Sequence, residues 1–65
     1  MMISVNGEVR EVEANTLNEL LMELNLTVEG VAVAVNNRIV MRAQWDTFWL
    51  CGGEEVMVIG ATRGG

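Results

Sequence analysis

Apolar and polar residues alternate at the start of the chain on both sides of Asn6-Gly7. Asn-Gly is typical of a two-residue β-hairpin loop, because both residues tolerate the positive φ angles of a type I′ turn. Such a loop pairs Val5 with Glu8 and Ile3 with Arg10. A longer, bulged loop remains open, because this register puts Glu8 and Arg10 on the same face as the apolar residues. The face expected to be buried comprises Met1, Ile3, Val5 and Val12.

Leucines then recur three and four positions apart in TLNELLMEL. This spacing predicts an α-helix with one apolar face, which belongs to the core rather than to a cofactor site. Thr16 and Glu19 have the spacing of a capping box, in which each side chain satisfies a free backbone N–H at the helix start. Asn25 is expected to end the helix. The apolar face comprises Leu17, Leu20, Leu21 and Leu24.

The second half of the chain predicts three more strands. VAVAVNNRIV has the pattern of a strand, a turn at Asn36-Asn37 and a short return strand. After a pair of glycines, which marks a turn, EEVMVI predicts the last strand. The apolar residues of that strand alternate between two faces, with Val56 and Val58 on one and Met57 and Ile59 on the other.

The stretch before the glycine pair, MRAQWDTFWL, has no clean period and contains all three aromatic residues of the chain. Aromatic clusters of this kind usually close the open end of a small core, and we assign Trp45 to the core on this ground. An exposed member of the cluster would instead be a good anchor for an interface.

The order of the predicted elements is hairpin, helix, strand pair, irregular stretch and final strand. One helix with one apolar face covers one face of a sheet, which gives two layers around one core. We therefore predict an α+β, β-grasp (ubiquitin-like) fold, with a mixed four- to five-stranded sheet and its first and last strands side by side at the centre. The β-grasp domain is expected to span residues 1–59, and residues 60–65 to form a flexible C-terminal Gly-Gly tail.

Length and composition agree with one small domain. The chain has 65 residues, of which 51% are hydrophobic, so it is a globular segment and not a disordered one. No apolar run is long enough to span a membrane, and no secretory signal is expected at the N-terminus. Because it also has a single cysteine, a disulfide scaffold is disfavoured. These features predict a cytoplasmic protein.

The charge of the chain disfavours one class of partner. Its net charge is −5, which repels the phosphate backbone of nucleic acids. The terminal RGG occurs once, so it is not interpreted as an RNA-binding segment. An acidic surface suits basic protein partners, although it also serves solubility. All four basic residues are arginines, and the chain contains no lysine.

The residue types argue against an enzyme. The chain has no histidine, tyrosine or lysine, so the commonest general bases and the Schiff-base residue are missing. Cys51 has no second thiol or imidazole with which to build a zinc site, and we expect it to be a small buried hydrophobe. We therefore predict no catalytic residue and no metal site in the chain itself.

What remains reactive is the α-carboxylate of Gly65, which is ionised at neutral pH. It could attack the α-phosphate of ATP and become an acyl-adenylate, provided that it reaches into the active site of another protein. Glycine suits such a tail, because backbone without a Cβ passes through a narrow channel. Met57 and Ile59 on the outward face of the sheet are expected to form a partner-binding surface beside the tail.

With these features the sequence resembles the ThiS family of thiamine-biosynthesis sulfur carriers, which are prokaryotic ubiquitin-like proteins. The resemblance covers nearly the whole chain and rests on ISVNGE, TLNELLMEL, VAVAVNNRIVMRAQW and the terminal Gly64-Gly65. The family typically has a proline at the position of Met41, followed by a basic residue as at Arg42 and a tryptophan as at Trp45. Loss of that proline is expected to loosen a turn.

The resemblance implies that Gly65 is activated by a ubiquitin-activating-type adenylyltransferase, which uses ATP and magnesium. The adenylate would be converted to a thiocarboxylate with sulfur from a cysteine desulfurase relay or a similar donor. Thiazole synthase would then take this sulfur into the thiazole ring of thiamine, and the chain itself would bind no cofactor. The tail segment expected to be gripped by these partners comprises Gly64, Arg63, Thr62 and Ala61.

Three other functions remain open at this point. The small subunit of molybdopterin synthase would share the fold, the tail and the thiocarboxylate. A ubiquitin-like protein modifier would be joined through Gly65 to lysines of its targets, although a lysine-free chain cannot build lysine-linked polymers of itself. A β-grasp interaction module with an inert tail would function without its last two glycines, and their deletion would distinguish it from the carriers.

Overall fold

The computed structural model describes residues 1–26 and 29–60. Its five strands form one sheet in the order β2-β1-β5-β3-β4, in which β1 and β5 are parallel and the other neighbours are antiparallel. The first and last strands are adjacent, as predicted, and β5 is the middle strand. The elements in chain order are β1 (Met2–Val5), β2 (Glu8–Glu11), α1 (Leu17–Glu23), β3 (Ala32–Val35), β4 (Arg38–Val40), a 3₁₀ helix (Arg42–Thr47) and β5 (Glu55–Ile59).

Both hairpins have two-residue loops. Asn6 and Gly7 have φ angles of 51° and 88°, and Asn36 and Asn37 have φ angles of 51° and 69°. Positive φ at both central residues is the requirement of a type I′ turn. In the first hairpin Val5 pairs with Glu8, so the tight register is confirmed and the bulged loop is excluded.

The helix is fixed at both ends by local hydrogen bonds. Thr16 Oγ1 accepts from the Glu19 N–H at 3.2 Å, and Glu19 Oε1 accepts from the Asn15 N–H at 2.8 Å. A standard capping box would use the Thr16 N–H instead. At the other end Asn25 has a φ of 59°, and Leu26 donates its N–H to the Leu21 carbonyl at 2.7 Å. This is a Schellman motif with asparagine in the left-handed position, so the predicted end of the helix is confirmed.

The core lies between the sheet and the helix, as the two-layer prediction requires. Trp45 is 2% exposed and its Nε1–H donates to the Val40 carbonyl at 3.0 Å, which confirms its assignment to the core. Leu24 is only partly buried at the end of the helix face. The buried apolar residues are Ile3, Val5, Val12, Ala14, Leu17, Leu20, Leu21, Val33, Val35, Val40, Trp45, Leu50 and Val56.

The prediction that Cys51 is buried is wrong, because its side chain is exposed. Leu50 occupies the inward position, and the chain then turns away from the core. The N–H groups of Cys51 and Gly52 donate to the Glu54 carboxylate at 2.7 and 2.8 Å, which holds the loop at the surface. Among residues 1–26 and 29–60, no helix is long and apolar enough to cross a membrane.

Candidate functional site

The outward face of the middle strand is apolar. Met57 and Ile59 are 49% and 56% exposed, whereas Val56 on the opposite face is 2% exposed. This confirms the alternation predicted for the last strand. Met57 pairs with Ala34 and Ile59 pairs with Ala32 on β3, so each large side chain stands beside a small one. The two predicted surface residues therefore project from the centre of the sheet without large neighbours on β3.

The same face is apolar on the other strands as well. Val9 on β2 pairs with Ser4, and Ile39 on β4 pairs with Ala34, so both lie on the face of Met57. Each of the large apolar side chains of this face is at least 47% exposed. We define the sheet surface as Met2, Val9, Ile39, Met41, Met57 and Ile59.

The prediction from the sequence found only Met57 and Ile59, the part of this surface on β5. Strand parity could have revealed the rest, because Met2 and Met41 flank the buried residues Ile3 and Val40. The sequence predicted β1 beside β5 but not β3 on the other side of β5, since long-range pairing decides that and no local pattern reports it.

The shape of the sheet surface suits a protein better than a small ligand. A cavity on it has a volume of about 110 Å³ and is lined by Ser4, Gly7, Asn37, Glu55, Val56 and Met57. Binding pockets for small molecules usually measure about 300–1,000 Å³. A broad apolar face with only a cavity of this size among its described residues is instead typical of protein interfaces.

The tail residues predicted to react or to be gripped, Ala61, Thr62, Arg63, Gly64 and Gly65, lie outside the described residues. Gly60, the last described residue, directly follows β5 and Ile59. The described chain therefore ends at the middle strand of the sheet, beside the sheet surface. Five further residues reach at most about 17–18 Å if fully extended.

The described residues contain no constellation for metal chemistry. No group of three or more histidine, cysteine, aspartate or glutamate side chains is placed to hold a metal ion there. Cys51 is the free cysteine, and its neighbour Glu54 is bound to backbone N–H groups of the same loop. No predicted site residue other than Met57 and Ile59 lies in this part of the chain.

Comparison with known proteins gives one consistent family. The model of the ThiS family matches residues 3–65. The sulfur carrier protein ThiS of Thermus thermophilus is 34% identical over 64 residues, which cover 98% of this chain and all of that protein. The sulfur carrier protein ThiS of Escherichia coli is 32% identical over 66 residues, which cover both proteins completely.

A solved structure agrees with the fold. The crystal structure of the thiamine biosynthesis protein ThiS from Geobacter metallireducens superimposes with a TM-score of 0.84 at 28% sequence identity, and the match covers all of both chains. The predicted α+β, β-grasp fold is therefore confirmed. Because the family model and both full-length relatives agree with this structure, the chain belongs to the ThiS family.

Proposed function

We propose that this chain is a sulfur carrier in thiamine biosynthesis, and that its Gly65 carboxylate is adenylated and converted to a thiocarboxylate. The observation that carries the proposal is the placement of the sheet surface, which adjoins the strand from which the chain runs to Gly64-Gly65. A partner that binds this surface has the start of the tail at the interface. The names of the full-length relatives, sulfur carrier protein ThiS, support the same function.

The chemistry proceeds in two displacements. A carboxylate oxygen of Gly65 attacks the α-phosphorus of ATP, pyrophosphate leaves, and an acyl-adenylate forms. Hydrosulfide, which a thiol releases from the donor's persulfide with formation of a disulfide, then attacks the carbonyl carbon, AMP leaves, and the thiocarboxylate remains. The adenylyltransferase supplies ATP and magnesium, and the sulfur comes from a cysteine desulfurase relay or a similar donor. This chain contributes the electrophilic carbon and an unhindered backbone at Gly64-Gly65.

The sheet surface is the proposed docking site for the adenylyltransferase and for thiazole synthase. Burial of apolar surface gives about 25 cal/mol per Å², so side chains as exposed as Met57 and Ile59 contribute binding energy when a partner covers them. With the body docked there, Ala61, Thr62 and Arg63 would span the distance to the nucleotide. Thiazole synthase would then receive sulfur from the thiocarboxylate of Gly65.

The proposal is tested by intact-mass spectrometry of the full chain. Incubated with its adenylyltransferase, ATP, magnesium and a sulfide source, the chain should gain the mass difference between one sulfur and one oxygen atom. Fragmentation should place this gain on Gly65. Omission of ATP is the control, because without the adenylate there is no leaving group for sulfur to displace.

A chain extended by one residue tests more directly whether the carboxylate of Gly65 is the reacting group. An alanine added after Gly65 moves the carboxylate by about 3.3–3.6 Å from its in-line position at the nucleotide, so modification should be lost. Gly64→Val should impair it by Cβ crowding. If the extended chain is thiolated at the same rate as the chain that ends at Gly65, the terminal carboxylate of Gly65 is not the reacting group.

A further inference from the structure

The second tryptophan of the chain, Trp49, projects into solvent. It is 66% exposed, whereas Trp45 is 2% exposed. Neither the core nor the proposed sulfur chemistry uses its indole. Tryptophan is one of the residue types enriched among the hot spots of protein interfaces.

Backbone hydrogen bonds hold the segment that carries this indole in place. Trp49 forms an antiparallel bridge with Thr16 at the start of α1. On either side of the bridge, Leu17 donates its N–H to the Phe48 carbonyl at 2.9 Å and Leu50 donates to the Asn15 carbonyl at 2.8 Å. Phe48 and Leu50 pack against the core, so the intervening side chain points away from it. Trp49 is therefore presented on a fixed segment.

Trp49 forms one wall of a shallow cleft of about 340 Å³, which we call the Trp49 cleft. Its residues are neutral or acidic, and none is basic. Among the described residues, no hydrogen bond or ion pair engages the carboxylate of Asp46. Glu19 uses Oε1 to accept from the Asn15 N–H, and this leaves Oε2 as an acceptor. The lining residues are Thr16, Asn18, Glu19, Asp46 and Trp49.

We propose that the Trp49 cleft binds an arginine side chain of a basic protein partner. A guanidinium group stacks on the face of an indole and is attracted by its π electrons. Its planar fork of N–H donors also matches carboxylates such as Asp46 and Glu19. The chain already makes the same kind of contact internally, because Arg42 Cζ lies 5.2 Å from the ring centroid of Trp45.

Charge selects this occupant over the alternatives. An anionic group would be repelled by the two carboxylates and by the net charge of −5. A purely apolar side chain would cover Trp49 but would remove water from Asp46 without replacing its hydrogen bonds. An arginine side chain can stack on the indole of Trp49 and pair with the carboxylates of Asp46 and Glu19 at the same time.

The Trp49 cleft and the sheet surface lie on different sides of the molecule. The cleft includes Asn18 and Glu19 of α1, which packs on the inward face of the sheet, whereas Met57 and Ile59 project from the outward face. Both sites are thus open to occupation at the same time. Occupation of the Trp49 cleft does not require the proposed sulfur chemistry.

The test is a ¹⁵N NMR titration of the full chain with the peptide acetyl-Gly-Gly-Arg-Gly-Gly-amide. We expect saturable shifts of the Trp49 indole N–H and of the Asp46 and Glu19 amides. The buried indole N–H of Trp45 provides an internal reference that should stay unchanged. The same peptide with citrulline is a neutral isostere, and it should give no saturable shift.

Matched variants locate the binding. Trp49→Leu should raise the Kd by about two- to fivefold, which corresponds to loss of an exposed cation–π contact. Asp46→Asn should also raise the Kd. Because Asp46 is exposed, this variant is expected to fold, and it keeps the test valid if Trp49→Leu does not. Glu29→Gln removes the same charge from an exposed loop outside the cleft and should leave the Kd unchanged. Equal binding of the citrulline peptide, or an equal loss in Glu29→Gln and Asp46→Asn, would overturn the proposal.

Discussion

Asn6 and Asn36 have the same two roles at corresponding places beside the middle strand. Each occupies the first position of a type I′ turn, and each side chain also bonds to β5. Asn6 Oδ1 accepts from the Val58 N–H at 2.8 Å, and Asn36 Oδ1 accepts from the Glu55 N–H at 3.0 Å. Because β5 extends past the end of β1, the Val58 N–H has no strand partner on that side, and the turn residue supplies one.

We predict that these two roles separate in a pair of substitutions at Asn6. Asn6→Gly keeps the positive φ but removes the acceptor, so unfolding should become easier by about 0.5–1.5 kcal/mol, the usual net value of one hydrogen bond. Asn6→Ala should cost about 1–2 kcal/mol more, because alanine is strained in the left-handed region. Urea denaturation followed by circular dichroism measures both.

Asn37→Gly is the matched control for Asn6→Gly. Asn37 also has a positive φ, of 69°, but no side-chain hydrogen bond of Asn37 occurs within the described residues. Its replacement by glycine should therefore change stability by only a few tenths of a kcal/mol. Equal losses in the two glycine variants would show that the bond to Val58 contributes nothing.

At the scale of elements, α1 is too short to be stable alone, since isolated helices below about 12–15 residues are marginal in water. It depends on three buried leucines and on side chains that join it to its flanking loops. Glu23, in the last turn, accepts from the Glu13 N–H at 3.1 Å and from the Ala14 N–H at 3.0 Å. This carboxylate thereby ties the end of the helix to the segment that leads into it.

We predict that Glu23→Ala lowers the free energy of unfolding by about 1–2 kcal/mol. The lower part of the range for hydrogen bonds to charged groups applies, because these bonds are mostly exposed to water. Amide hydrogen exchange of Glu13 and Ala14 should accelerate together. Met22→Ala is the control, because Met22 is the preceding helix residue and is 58% exposed. Slowed or unchanged exchange in Glu23→Ala would contradict this role.

Across the whole molecule, the sequence predicted what local patterns decide. The two asparagine turns, the helix with its end at Asn25 and the alternation of exposed Met57 with buried Val56 were confirmed because each depends on residues close in the chain. Predictions that depend on distant contacts were less complete. Thr16 forms a backbone bridge with the distant Trp49, and Glu19 accepts from the Asn15 N–H instead of the Thr16 N–H of a standard capping box. The turn at Cys51 brings the side chain of that residue to the surface.

The extent of the sheet surface also depends on distant contacts, and it supports the last prediction. Met57 lies near its centre, between β1 and β3. We predict that Met57→Asp weakens binding of the full chain to its adenylyltransferase by about tenfold or more. A buried methionine contributes about 1.5–3 kcal/mol, and an aspartate in its place would lose its water without gaining a partner.

Isothermal titration calorimetry with the adenylyltransferase measures this effect, and Met22→Asp is its matched control. Both substitutions change the net charge from −5 to −6, so long-range repulsion is the same in the two variants. Met22 is similarly exposed but lies on α1, on the other side of the sheet. Thermal denaturation of both variants verifies that they remain folded. If Met22→Asp weakens binding as much as Met57→Asp, charge rather than contact with the sheet surface controls the affinity, and the docking site lies elsewhere.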